Sequence, residues 1–204
     1  MEKKVRKRRR FETILVLFST IRLLPHIVLF NIHPQKSVIE YDVQRWMEWK
    51  SFATETSTQY GFIYFMTFCP EFRNIFYMRV GIINRIIGWL CPRMSTLFIY
   101  TKNIGPGLII QHGFSTIITA KSIGKNCRIN QQVTIGFSGN YNPIIGDNVL
   151  VTAGAKVLGN VVVGNNVKIG ANAVVVKDVP ENCTVVGVPA YIVKRNGIKV
   201  KENL

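Results

Sequence analysis

The chain holds three histidines, His26, His33 and His112, and only His112 lies inside a long block of regularly spaced aliphatic residues. Imidazole can take up a proton and return it near neutral pH, which suits it to general acid–base work. His112 directly follows an aliphatic repeat position, between Gln111 and Gly113. That setting puts it at or near a corner of the chain path, where a side chain can face a groove. One histidine is too few for a zinc centre, which takes several nitrogen or sulfur ligands, so no metal site is expected. The four cysteines, Cys69, Cys91, Cys127 and Cys183, show no CxxC spacing and read as reduced core thiols of a cytosolic protein. No cysteine or serine sits next to His112 as an obvious covalent carrier, although Ser115 is near in sequence. The residues point to proton transfer by one imidazole.

The elements that must position His112 are repeats. Ile145, Val151, Val157, Val163, Ile169 and Val175 keep a step of six without a slip. Upstream, Ile104 and Ile110 keep the same step, and one extra residue enters before Ile123. Ile129 and Ile135 resume it, and a longer gap leads to Ile145. A second set of apolar residues recurs four places on, among them Leu108, Cys127, Val133, Val149 and Ala155. A period of six matches neither the 3.6 of a helix nor the alternation of a hairpin sheet, so the chain must turn a corner at a fixed interval. Three hexads make one triangular coil, and stacked coils place every aliphatic residue in one inner column. A two-sheet sandwich is a poor competitor, because its strands recur at about 8–12 residues and seldom in register.

The chain has 204 residues, a formal net charge of +15 and a pI of about 10.0, which asks for an acidic partner. Seven of the eight residues from Lys3 to Arg10 are basic, and an apolar stretch follows from Thr13 to Phe30, interrupted by Arg22, Pro25 and His26. A spanning helix needs about 20 mostly apolar residues, so this run is a weak span, and it lacks the cleavage site of a secretory signal. Ile14, Leu17, Phe18, Ile21 and Leu24 fall at helical spacing. Either the stripe and basic arm lie on the anionic inner face of a membrane, or the stripe packs on protein and the arm is solvated. Nucleic acid is not expected, because no aromatic-interleaved basic platform accompanies the arm. Val38 to Ser51, Tyr60 to Phe68 and Glu71 to Leu90 read as helices, punctuated by Pro70 and Pro92. The expected organisation is a basic arm and apolar segment at 1–34, a helical part at 35–98, a β-solenoid at 99–192 and a C-terminal tail at 193–204.

The run Ile104-Gly-Pro-Gly-Leu-Ile-Ile-Gln-His112-Gly, the hexads from Ile123, the run Ala153-Gly-Ala-Lys-Val-Leu-Gly-Asn160 and the ending Gly187-Val-Pro-Ala190 together resemble serine acetyltransferases. The resemblance covers residues 99–197 and extends more weakly to 70–90. Before residue 70 the chain is more similar to a branch associated with surface-polysaccharide synthesis. It implies a mainly β fold, a left-handed parallel β-helix of hexapeptide repeats behind a helical N-terminal part. It also implies a homotrimer with sites between subunits, a hexamer being the larger option.

Carried over residue by residue, the resemblance makes His112 the general base of acyl transfer from a thioester to a hydroxyl. It implies acetyl-CoA as co-substrate, with no permanent cofactor, bound at Gly136, Ala153, Lys168 and Ala171. The family's second loop glycine is Phe137 here. The acceptor positions are Gln111, Tyr141 and Asn142, where the family has charged residues, and the Asp that orients the family's histidine has no counterpart in residues 91–104. Burying a zwitterion without counter-charges is costly, so the expected acceptor is a saccharide hydroxyl, with L-serine as the alternative and a non-catalytic acetyl-CoA-binding scaffold or membrane adaptor as the second. The expected location is cytoplasmic, on the inner face of the cell membrane if the arm binds lipid.

Overall fold

The computed structural model describes residues 2–204, with side chains from Glu12 onward, so the side chains of the basic run Lys3–Arg10 lie outside the described residues. The chain forms two compact units, 1–93 and 94–204.

The first unit is helical: α1 (Glu2–Arg22), α2 (Leu24–Ile32), α3 (Lys36–Trp49), α4 (Thr58–Phe68), α5 (Pro70–Val80) and the short α6 (Asn84–Ile87), the last flanked by 3₁₀ turns. In α3 the buried residues Ile39, Asp42, Val43, Trp46 and Met47 follow the i, i+3, i+4, i+7 pattern of a helix with one face in a core. Ser57 caps α4, its Oγ accepting from the Tyr60 N–H at 3.2 Å. Pro70 opens α5, where a missing N–H does no harm. The expected helix from Glu71 to Leu90 is not continuous. Gly81, at φ +62°, ends α5, and the chain goes on as 3₁₀ and short helical turns.

The rings of Trp46, Phe65 and Phe72 meet at centroid distances of 5.4–5.6 Å, and Phe30 stacks on Phe62 at 4.5 Å. Two polar groups are built into this apolar core. Asp42 and Arg79 form a buried pair through two nitrogens, at 2.9 and 3.3 Å. His26, 0% exposed, meets the Tyr77 hydroxyl at 2.8 Å through Nε2, and that hydroxyl donates to the Cys91 carbonyl at 2.7 Å.

The second unit is a solenoid of five coils with three faces. The first face holds β1 (Leu97–Ile99), β3 (Thr116–Ile118), β6 (Thr134–Gly136), β9 (Lys156–Leu158) and β12 (Val174–Val175). The second holds β4 (Ser122–Ile123), β7 (Ile144–Ile145) and β10 (Val162–Val163), extended by bridges at Ile104 and Val179. The third holds β2 (Ile109–Gln111), β5 (Arg128–Asn130), β8 (Leu150–Val151), β11 (Lys168–Ile169) and β13 (Cys183–Val186). Every pairing between coils is parallel. The fold is the left-handed parallel β-helix of hexapeptide repeats. Residues expected as a tail form β15 (Ile198–Asn203) and most of β14 (Tyr191–Arg195), which continue the third face as antiparallel strands.

The hexad residues fill three buried columns, and one column member escapes the six-residue step. Ile118, fully buried, stands over Ile135 and Val157 on the first face. The irregularity before Ile123 is therefore two changes: eight positions from Ile110 to Ile118, then five to Ile123. At the edge between the second and third faces, Gly124 lies on the next coil. A Cβ there would come within 2.6 Å of the Gly146 carbonyl carbon. Asn148, Asn166 and Asn182 follow at the same edge in the left-handed region, φ 57–58°. Their amides bond coil to coil, Asn148 donating to Asn166 at 3.1 Å and Asn166 to Asn182 at 2.9 Å.

Candidate active site

His112 lies where the first coil crosses from the third face to the first. In the other coils that crossing takes six positions from one column residue to the next, as from Ile129 to Ile135 or Val151 to Val157. At His112 it takes eight. The additional length is taken up by two residues in the left-handed region, His112 at φ +55° and Ser115 at φ +53°, closed by a Phe114 N–H to His112 carbonyl bond of 2.6 Å. Left-handed backbone costs a residue with a Cβ about 1–2 kcal/mol. The bulge leaves the His112 side chain exposed at the rim of an otherwise regular edge.

Below it the same edge continues coil by coil. The Gln132 N–H donates to the Phe114 carbonyl at 3.0 Å, Gly154 to Gln131 at 3.0 Å and Asn172 to Ala153 at 2.9 Å. Ala153 and Ala171 therefore lie on the edge that carries His112, separated from it by the Gln131 crossing. Their small side chains leave the backbone open to an extended ligand. Gln111 ends β2 and pairs in register with Asn130. Lys168 is exposed on β11, two residues before this edge.

Two residues that sequence reasoning passed over lie directly under His112's coil. Asn130 Oδ1 and Gln131 Oε1 are buried side-chain oxygens without a hydrogen-bond partner. Consecutive amides follow Ile129, where the later coils have Thr152-Ala153 and Gly170-Ala171, and that contrast was the available signal.

Gly136, Tyr141 and Asn142 are elsewhere. Gly136 ends β6 on the far side of the first face, and Tyr141 and Asn142 stand in the loop that leaves it, a loop pinned by the Ser138–Tyr141 bridge. A Cβ at Gly136 would touch Leu158 and Thr134 only at 3.5 Å, an ordinary contact, so packing does not demand glycine there. Within one chain the width of the first face separates this group from His112.

The electrostatics are one-sided. No Asp or Glu occurs between Glu71 and Asp147, so no carboxylate lies on the coil of His112 or on the coil after it. Asp147 is engaged by the Lys125 N–H at 2.8 Å and Asp178 by the Val162 N–H at 2.8 Å, both at other edges. Burial pushes the thiols of Cys69 and Cys127 up to about 11, and raises those of Cys91 and Cys183 as well, so none is a ready nucleophile. Among the described residues no group of three or more His, Cys, Asp or Glu could hold a metal ion.

A solenoid of hexads with one imidazole at a bulged edge defines the hexapeptide-repeat transferase class, and the family model "Bacterial transferase hexapeptide (six repeats)" matches residues 142–177. Over 132 residues the chain is 40% identical to the serine acetyltransferase of Synechococcus elongatus, covering 62% of this chain and 54% of that protein. The structure of Neisseria gonorrhoeae serine acetyltransferase in complex with serine superposes with a TM-score of 0.61 at 30% identity, covering 83% of this chain and 72% of that one. The Brucella abortus enzyme in complex with coenzyme A gives 0.60 at 28%, covering 82% and 71%. The chain belongs to the serine acetyltransferase family. It spans about half the length of the curated relatives it matches.

These comparisons overturn the saccharide acceptor and give no support to the polysaccharide-synthesis branch, since those relatives and structures are serine acetyltransferases and one of the structures holds serine. The error lay in letting three uncharged side chains stand for the whole acceptor wall. Gln111 stands at one edge of the solenoid and Tyr141 and Asn142 at another, so within one chain they form no pocket from which counter-charges can be judged absent.

Proposed function

We propose that the chain transfers the acetyl group of acetyl-CoA to the hydroxyl of L-serine, with His112 as general base. The observation that carries this reading is the bulged crossing, which presents the solenoid's only histidine on the edge that, past the Gln131 crossing, carries Ala153 and Ala171. The serine and coenzyme A bound in the two related structures support the choice of substrates.

In the reaction one imidazole nitrogen of His112 takes the serine Oγ proton as the oxygen attacks the acetyl carbonyl carbon. The C–S bond then breaks, and the coenzyme A thiolate takes the proton back from the imidazolium. Both substrates are bound at once, and no covalent enzyme intermediate forms. Backbone N–H groups near the 137–143 loop are the natural donors to the developing oxyanion.

Gly136, Ala153 and Ala171 would let the pantetheine arm approach the backbone, and Lys168 would meet phosphate as a point charge. Gln111, Tyr141 and Asn142 would line the acceptor. Because His112 and the 137–143 loop occupy opposite edges of the first face, a complete site takes one edge from each of two copies, and a homotrimer closes such a ring.

The test is coenzyme A release from acetyl-CoA with L-serine, by the parent and by His112→Ala. A base of this kind contributes about 100- to 10,000-fold, so kcat should fall by that order while acetyl-CoA affinity stays within about twofold. Turnover of His112→Ala within threefold of the parent removes the base assignment, and serine-independent release alone removes serine as acceptor.

A further inference from the structure

The helical unit carries a surface that the acetyl-transfer reading does not use. Ile14, Leu17, Phe18 and Ile21 on α1 and Leu24, Val28 and Ile32 on α2 are all at least half exposed, from 50% at Ile14 to 73% at Ile32. They repeat at intervals of three or four, so on each helix they form one outward stripe, while Val16, Leu23, Ile27 and Phe30 turn into the core. The two helices meet at 78°, and among the described residues no single helix is long and apolar enough to cross a membrane. From Glu12 to Ile32 the only acidic residue is Glu12, at the start of the stripe. Directly before the stripe, in sequence, come the seven Lys and Arg of residues 3–10, and α1 runs through them.

An apolar stripe led by a dense basic run fits two occupants unequally. A second copy of the chain could cover the apolar residues, but it would bring its own seven cations beside these, and like charges oppose that pairing. An anionic bilayer surface meets both features: headgroups neutralise the basic run while the stripe enters the boundary with the acyl chains. We propose that the stripe of α1 and α2 is a docking surface for an anionic lipid bilayer, lying in the interface without crossing it.

Flotation of the 204-residue chain with vesicles tests this directly. The parent should partition at least tenfold more strongly into phosphatidylcholine containing 30% phosphatidylglycerol than into phosphatidylcholine alone, and raising the salt should weaken it. Phe18→Ser combined with Ile21→Ser should lose at least tenfold. Arg8→Gln, Arg9→Gln and Arg10→Gln together should lose about 100-fold, at about fivefold per cation. Equal recovery of the parent with the two vesicle types overturns the proposal, as does unchanged binding by the apolar double variant. If the parent does not float and the double variant instead lowers the oligomeric state in sedimentation, the stripe is a contact between copies and the lipid reading is wrong. The lipid comparison uses the parent alone, so it decides the matter even if a variant fails to fold.

Discussion

Acidification should destabilise this protein through His26. The Tyr77 hydroxyl has one proton and gives it to the Cys91 carbonyl, so the 2.8 Å contact to His26 must be donated by Nε2–H. Nδ1 is then a bare lone pair, buried and without a partner. A second proton would put an N–H where no acceptor waits and a cation where no water reaches. Burial, then the charges of Arg22 and Arg73, lower the His26 pKa from 6.5 to about 4. Below pH 6.5 the unfolded chain takes up a proton that the folded chain refuses until about pH 4, so stability is lost as pH falls through that window. At about 1.4 kcal/mol per pH unit, the loss at pH 4 reaches about 3 kcal/mol. For a chain of this size that is roughly 6–12 °C in Tm. Other groups titrate in the same range, so the measurement is the difference between the parent and His26→Gln, followed by near-ultraviolet circular dichroism from pH 7 to 4. The parent's Tm should fall more steeply by about that amount. Parallel curves would show that His26 is protonated as readily folded as unfolded, and the buried-imidazole argument would fail.

Three further outcomes follow from particular contacts. Asp42→Ala takes the carboxylate away from the buried Arg79 guanidinium and should cost about 3–5 kcal/mol, while replacing both partners by apolar residues should cost far less; urea unfolding of Asp42→Ala and of the double variant separates these cases. Gly124→Ala forces a methyl onto the Gly146 backbone, 2.6 Å away, and should lower stability by about 1–3 kcal/mol, read as a drop in the urea midpoint. Ala171→Trp fills the small-residue ladder under His112 at an exposed position, so it should raise the KM for acetyl-CoA at least tenfold with Tm unchanged. An unchanged KM would move the donor site off this edge.

Much of the solenoid was readable beforehand because a triangular coil stamps its period on the chain. Ile145 to Val175 keep their step since every corner between them has the same length. Around His112 the same logic misled, because spacing reports how many residues are added but not at which corner. Only coordinates divide one net insertion into two added at the histidine and one removed after Ile118. Helices α3, α4 and α5 were legible from their apolar positions, except where Gly81 breaks the run after α5, and the 78° bend that divides the apolar run into α1 and α2 was not, since periodicity does not record such backbone choices. The acceptor reading failed for a different reason. Side chains such as Gln111 and Tyr141 carry chemistry only in the company of their neighbours, and a linear sequence does not say which edge each belongs to. The orphaned oxygens of Asn130 and Gln131 were out of reach in the same way, since an amide in sequence does not reveal whether it is paired.

The asparagine rungs have a polarity of their own. Asn166 both receives from Asn148 and gives to Asn182, whereas each of those neighbours takes part in one of the two links. Exchanging the middle amide for glycine, which keeps the left-handed turn, silences both links; the same exchange at either end silences one. Identical residues in identical conformations therefore differ in worth by their rank in the series, much as the central tooth of a zip holds more than the last.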